Sequence, residues 1–145
     1  MKITQIREKD GVEALSVLDF NLLIEKIKTE IKTRPVTGLR QALHFVLPGE
    51  SCSFAGKLPK VIPAAVFGRV NGVKRMKVYN GIVELTVGPL AGKVEVDLVK
   101  KKAAELPQTM FAYMGASGNS VKIWTLFTRP DGTLPQTQEE AEIFQ

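Results

Sequence analysis

One cysteine, one histidine and one tryptophan in 145 residues leave several chemistries without material. Cys52 has no disulfide partner, and Cys52 with His44 cannot complete a Cys/His zinc site. His44 falls in an apolar helical pattern, Cys52 has no neighbouring base, and no Gly-x-Ser-x-Gly elbow occurs, so nucleophilic catalysis has little support. We read His44 as a packing or surface residue and Cys52 as a small apolar filler. Long hydrophobic runs are missing too. The longest strongly apolar stretch, Val61 to Phe67, contains Pro63 and falls far short of the roughly 20 residues that span a membrane. Lys2, Arg7, Glu8, Lys9 and Asp10 do not make the start of a signal peptide. A cytoplasmic protein with no membrane partner is expected.

What is present is average in amount, 44% hydrophobic and 24% charged, which suits one folded domain over residues 1–145. The net charge of +5 is unevenly placed. Ser51 to Arg129 holds 12 Lys and Arg against 4 Asp and Glu, whereas the flanks together hold 8 against 11. A basic excess in the middle of a chain suits a polyanion such as nucleic acid or a nucleotide; the plainer alternative is a solvated lysine face.

Apolar spacing predicts a short edge strand over Lys2 to Arg7 and a helix from about Val17 to Lys32, opened by Ser16 and Asp19. A second helix is predicted from Thr37 to about Leu47, closed by Pro48 and Gly49. Ala64 to Val70 and Val73 to Val78 read as a hairpin about Asn71-Gly72. Its basic residues Arg69, Lys74, Arg75 and Lys77 are candidates for nucleic-acid contact. Gly81 to Val87 reads as a central strand, and Lys93 to Leu106 as a helix whose apolar face is Val94 and Leu98 with Ala104 or Glu105. Two strands, Thr109 to Met114 and Val121 to Thr128, flank a Gly/Ser/Asn hairpin, followed by a turn over Arg129 to Gly132. Thr137 to Gln145 looks like an interrupted helix, as in a piece of a longer protein. The pattern predicts an α+β fold, an antiparallel or mixed sheet with helices packed on one face; β81–87, the helix after it and the Thr109 strand would form a βαβ unit.

Two places could carry chemistry. On the Gly81 strand, alternation puts Glu84, Thr86 and Gly88 on one side. In the later hairpin, Ser117, Gly118 and Asn119 offer backbone that can approach a phosphate, with Lys122 as a point charge. The spacing is not that of a P-loop, and strands rather than helices flank the Gly115-x-x-Gly118 that a KH domain would use. Trp124, Phe127, Tyr79 and Tyr113 read as core residues before base-stacking ones.

The runs Lys57-Leu58-Pro59, Val61-Ile62-Pro63 with Ala64-Ala65-Val66-Phe67, Tyr79-Asn80-Gly81-Ile82-Val83 and Ser117-Gly118-Asn119-Ser120-Val121-Lys122-Ile123 resemble the virulence-associated protein E N-terminal domain. That family occurs in bacterial mobile-element proteins and is similar to the archaeo-eukaryotic primases. The resemblance spans roughly Leu39 to Arg129 and implies a primase-like domain, with metal-binding aspartates on the Gly81 strand and nucleotide contact from the Ser117 hairpin. Where such members read Leu-Asp-Ile-Asp, this chain has Leu85-Thr86-Val87-Gly88, a degenerate metal position. The expectation is therefore a noncatalytic module that binds nucleic acid or nucleotide phosphates, with no cofactor, beside a helicase or other replication domain. The alternatives are a nucleotidyl transferase in which Glu84, with Asp131 and a carboxylate from elsewhere in the fold, holds Mg²⁺ or Mn²⁺, and a structural or partner-binding module.

Overall fold

The structure, a computed structural model, describes residues 1–29, 34–45 and 58–144. Its elements run β1 (Lys2–Lys9), β2 (Val12–Asp19), α1 (Phe20–Thr29), α2 (Arg34–Leu43), β3 (Lys60–Ile62), β4 (Ala65–Val70), β5 (Val73–Tyr79), β6 (Ile82–Val87), α3 (Lys93–Ala104), β7 (Thr109–Met114), β8 (Val121–Leu126) and α4 (Gln138–Phe144). The strands form three antiparallel sheets in the orders β2-β1-β3, β4-β5 and β6-β8-β7. The α+β class is the expected one. Cys52 and the ends predicted for the first two helices lie outside the described residues. Among the described residues no helix is long and apolar enough to cross a membrane.

The N-terminal third departs most from expectation. Asp10 and Gly11 take left-handed backbone, with φ of 53° and 76°, and turn β1 into β2. An Asp-Gly pair is a strong signal for such a hairpin. The predicted helix from Val17 therefore begins only at Phe20, and its first three residues finish β2. Ser16 donates to Gln5 O at 3.4 Å across the strand pair, while Asp19 alone caps the helix, accepting from Asn21 N at 2.9 Å. β1 is not an edge strand. It lies between β2 and β3, and Ile3, Thr4, Gln5 and Ile6 are all buried, so both of its faces are covered.

Thr4 joins two sheets. The β4–β5 register slips between Val66 and Phe67, and the Thr4 hydroxyl donates to Ala65 O at 2.9 Å while accepting from Phe67 N at 2.7 Å. Asn80 makes a second joint, its side-chain amide donating to Lys2 O at 2.8 Å and Pro63 O at 2.9 Å. Pro63 divides the apolar run that begins at Val61, sending β3 to one sheet and β4 to another.

In the third sheet β8, not β6, is central. β6 and β7 both run antiparallel to β8, so they point the same way with β8 between them, and α3 links them. Val96 and Ala103 of α3 are buried with Val121 and Ile123, and Val99 packs beside them. The face predicted for this helix is its outer one: Val94 is 84% exposed and Leu98 56%. Positions 96, 99 and 103 hold a full 3–4 spacing that the Val94/Leu98 pair masks. The opposite face of the sheet carries Ile82 and Trp124, which join Ile3, Leu18 and Leu23 in the main core.

At the end of the chain Thr137 caps α4, and Glu140 reaches back to the residue before the cap. Thr137 Oγ1 accepts from Glu140 N at 3.1 Å, and the Glu140 carboxylate accepts from Gln136 N and from Arg129, each at 3.0 Å. The Gln136 amide, then Arg129, hold the Glu140 carboxyl below its ordinary value.

Two outcomes follow from these contacts. Thr4→Val keeps the shape but strands Ala65 O and Phe67 N, so urea denaturation should show a loss of about 1–3 kcal/mol. Because the folded-state value of Glu140 is depressed, its contribution is whole above the unfolded carboxyl range near about pH 4.3 and is lost as pH falls through the lower folded value. The protection factors of α4 amides, exchange rates corrected for the intrinsic pH dependence of exchange, should therefore fall on acidification, and Glu140→Gln should remove that fall.

Candidate functional site

A cleft of about 400 Å³ opens where the first and third sheets meet α1 and α2. Its apolar lining is Leu23 and Ile27 from α1, Val36 from α2, Leu58, Pro59, Val61 from β3, and Tyr113 and Met114 from β7. Four cations reach it from four different elements: Lys26 on α1, Arg40 on α2, Lys60 on β3 and Lys122 on β8. Among the described residues that line it, Glu84 is the one carboxylate.

Glu84 is placed by ladder register. It lies opposite Trp124, and Thr86 lies opposite Lys122, so all four share the inner face of the sheet. One Glu84 oxygen accepts from Lys122 Nζ at 2.7 Å, and the other from Trp124 Nε1 at 2.8 Å. Trp124 is fully buried, with Phe20, Phe111 and Tyr113 ringed about it at centroid distances of 5.7 to 5.9 Å. The side chains of Glu84 and Lys122 keep 26% and 32% of their surface exposed, so the pair is wet on the cleft side. Lys122 is thus largely neutralised. Among the described residues, Lys26 and Lys60 make no salt bridge at all, and their charge is unopposed.

Arg40 closes the other wall. Its Nε donates to Ala116 O at 3.1 Å and a terminal nitrogen to Gly115 O at 3.4 Å, tying α2 to the β7–β8 hairpin. Gly118, at φ +85°, lies against that guanidinium: a Cβ there would sit 3.3 Å from Arg40 Nε. The polar groups of the hairpin turn inward. Ser117 Oγ donates to Asn119 Oδ1 at 2.6 Å, and Gly118 N donates to Gly115 O at 3.0 Å.

Of the residues singled out from sequence, Glu84 and Lys122 line the cleft, while Thr86, Ser117, Gly118 and Asn119 do not. Gly88 has no room for a side chain, since a Cβ would meet Ser120 Cβ at 2.9 Å and Asn119 O at 3.0 Å. Arg69, Lys74, Arg75 and Lys77 stand apart on the β4–β5 hairpin. There Arg69 donates to Gly72 O and Glu13 O, and Lys74 lies 5.1 Å over the Phe67 ring. Lys26, Arg40 and Lys60 were not singled out; each is an ordinary basic residue in sequence, and only the fold gathers them. Among the described residues no group of three or more His, Cys, Asp or Glu lies together.

A family model matches residues 53–145, nearly two thirds of the chain. The chain belongs to the BT4734-like N-terminal domain family. The resemblance to the virulence-associated protein E N-terminal domain is thereby overturned, and with it the primase-like, mobile-element reading that it implied. Its runs over Val61–Phe67, Tyr79–Val83 and Ser117–Ile123 fall on strands and the turns between them, features of local backbone geometry that unrelated sheets share. No curated protein and no solved structure matches the chain. The BT4734-like match includes Lys60, Glu84 and Lys122, whereas Lys26 and Arg40 precede it.

The Gly118–Arg40 packing can be checked against Gly132, which has a similar φ of +80° but open space around it. Gly118→Ala should cost both the left-handed backbone and the contact, Gly132→Ala the backbone alone, about 1 kcal/mol. Urea denaturation should rank them in that order.

Proposed function

We propose that the cleft binds the phosphates of a nucleotide or nucleic acid. The observation that carries this is the convergence of Lys26, Arg40, Lys60 and Lys122 on one cleft where Glu84, the one carboxylate among the described lining residues, is already paired. Arg40 and Lys122 are half-buried and Lys26 and Lys60 exposed; like charges from four elements around one cleft repel one another, and a bound polyanion relieves that repulsion. Arg40 brings a planar donor set suited to phosphate oxygens, whereas the lysines act as point charges. The apolar lining beside the half-buried Arg40 and Lys122 lowers the local dielectric there and strengthens their part of the interaction.

A metal-dependent transfer reaction would need grouped carboxylates, and the described residues offer none. Glu84 is engaged by Lys122 and Trp124, and Asp131 is committed to its own turn, accepting from Thr133 N at 2.9 Å and Thr133 Oγ1 at 2.7 Å. A binding role is therefore the reading we adopt.

Fluorescence anisotropy with single-stranded oligonucleotides, double-stranded oligonucleotides and labelled nucleotides across a salt series tests it. Binding should weaken steeply with salt, and Lys26→Glu or Lys60→Glu should each lower the affinity several-fold and flatten the log–log slope by about one unit per lost phosphate contact. Absence of binding at low salt, or binding indifferent to salt, overturns the proposal.

A further inference from the structure

The awkward residue in a phosphate site is Glu84. A carboxylate beside bound phosphates repels them, and a cleft serving phosphate alone would bind better without it. Glu84 nonetheless lines the cleft, a quarter exposed, and is held rigidly from behind by Trp124 and Lys122. Each of its oxygens has one partner, while an ionised carboxylate can accept about four hydrogen bonds. The remaining capacity is open to a donor that enters the cleft Glu84 lines. What uses it is a group that donates hydrogen bonds and travels with phosphate.

Resting on the phosphate reading above, we propose that the cleft takes one nucleoside phosphate unit whose ribose hydroxyls donate to the Glu84 carboxylate. Three features agree. The cleft, at about 400 Å³, is at the small-molecule end of binding-site sizes and suits one such unit better than a track for a strand. Leu23, Ile27, Val36 and Val61 provide an apolar wall for a base. Lys26, Arg40 and Lys60 provide cations for the phosphates at positions that do not depend on Lys122, which stays with Glu84. An acidic side chain receiving ribose hydroxyls near a phosphate site is a general solution to nucleotide recognition. Inorganic phosphates and dideoxy sugars lack those donors, so the carboxylate turns a general anion site into a selective one.

Trp124 is the protein's only tryptophan and its indole N–H is bonded to Glu84, so its fluorescence reports on ligands at that carboxylate. The experiment titrates the whole chain with the four ribonucleoside triphosphates, their 2′-deoxy and 2′,3′-dideoxy forms, and inorganic triphosphate. Ribose forms should bind roughly tenfold or more tighter than dideoxy forms. Glu84→Gln should erase that preference while tightening inorganic triphosphate, two opposite effects that mere loss of structure does not produce. Equal affinity for ribose and dideoxy forms in the unaltered protein overturns this inference and leaves the phosphate reading standing. Failure of every nucleotide and of inorganic triphosphate overturns this inference, and failure of the oligonucleotides at low salt as well overturns both. The ligand series alone decides the matter if the variant does not fold.

Discussion

The indole N–H of Trp124 sets a constraint that reaches the surface. Trp124 is fully buried at the junction of the first and third sheets, among Phe20, Phe111 and Tyr113, and its nitrogen must find an acceptor there. The register puts Glu84 directly opposite, and the carboxylate accepts that bond. A partly buried carboxylate in turn needs a cation, and Lys122, diagonal to it on the ladder, supplies one. Packing a large aromatic thus fixes an ion pair at the rim of the core. The cleft is what lies on the exposed side of that pair.

The other wall of the cleft has a different origin. α2 is tied to the β7–β8 hairpin through Arg40, and the hairpin carbonyls that receive it come from Gly115 and Ala116, where the chain turns out of β7. The hairpin meets the cleft through those two residues, with Ser117 and Asn119 satisfying one another beyond it. The Gly-rich composition then has a packing reason. Gly118 sits beneath the guanidinium and Gly115 against Ser120, each where a Cβ would crowd its neighbour.

Elements defined by local chemistry were readable from sequence: the Asn71-Gly72 hairpin, the β7–β8 pair, α3 and the final helix all stand close to where spacing and turn residues put them. Misreadings arose where tertiary structure overrides a local pattern. Val17 continues backwards the helical spacing of Phe20, Ile24 and Ile27, yet the Asp10-Gly11 turn commits it to β2. β1 has alternation too imperfect for a one-sided strand because neither side of it faces water. β6 is rich in β-branched residues but ends at an edge, with Leu85 half-exposed. Within the site, Glu84 and Lys122 were visible because strand alternation and a hairpin base single them out. Lys26 and Lys60 carry no such mark.

The basic stretch of the sequence and the cations that line the cleft coincide only in part. The basic excess lies between Ser51 and Arg129, yet Lys26 and Arg40 come from the acidic flanks. Much of the central excess is spent elsewhere: Lys93 and Lys102 pair along α3, Lys74 lies over Phe67, and Arg69 is bonded to backbone carbonyls. Net charge over a stretch of sequence measures long-range attraction, whereas a site requires cations from separate elements to be brought together without neutralising partners. The BT4734-like match begins at residue 53, so in this chain the site spans the matched region and the β1-to-α2 segment before it. Pairing of β1 with β3 and packing of Leu23 against Ile82 and Trp124 hold the two parts together, and the cleft exists only because they do.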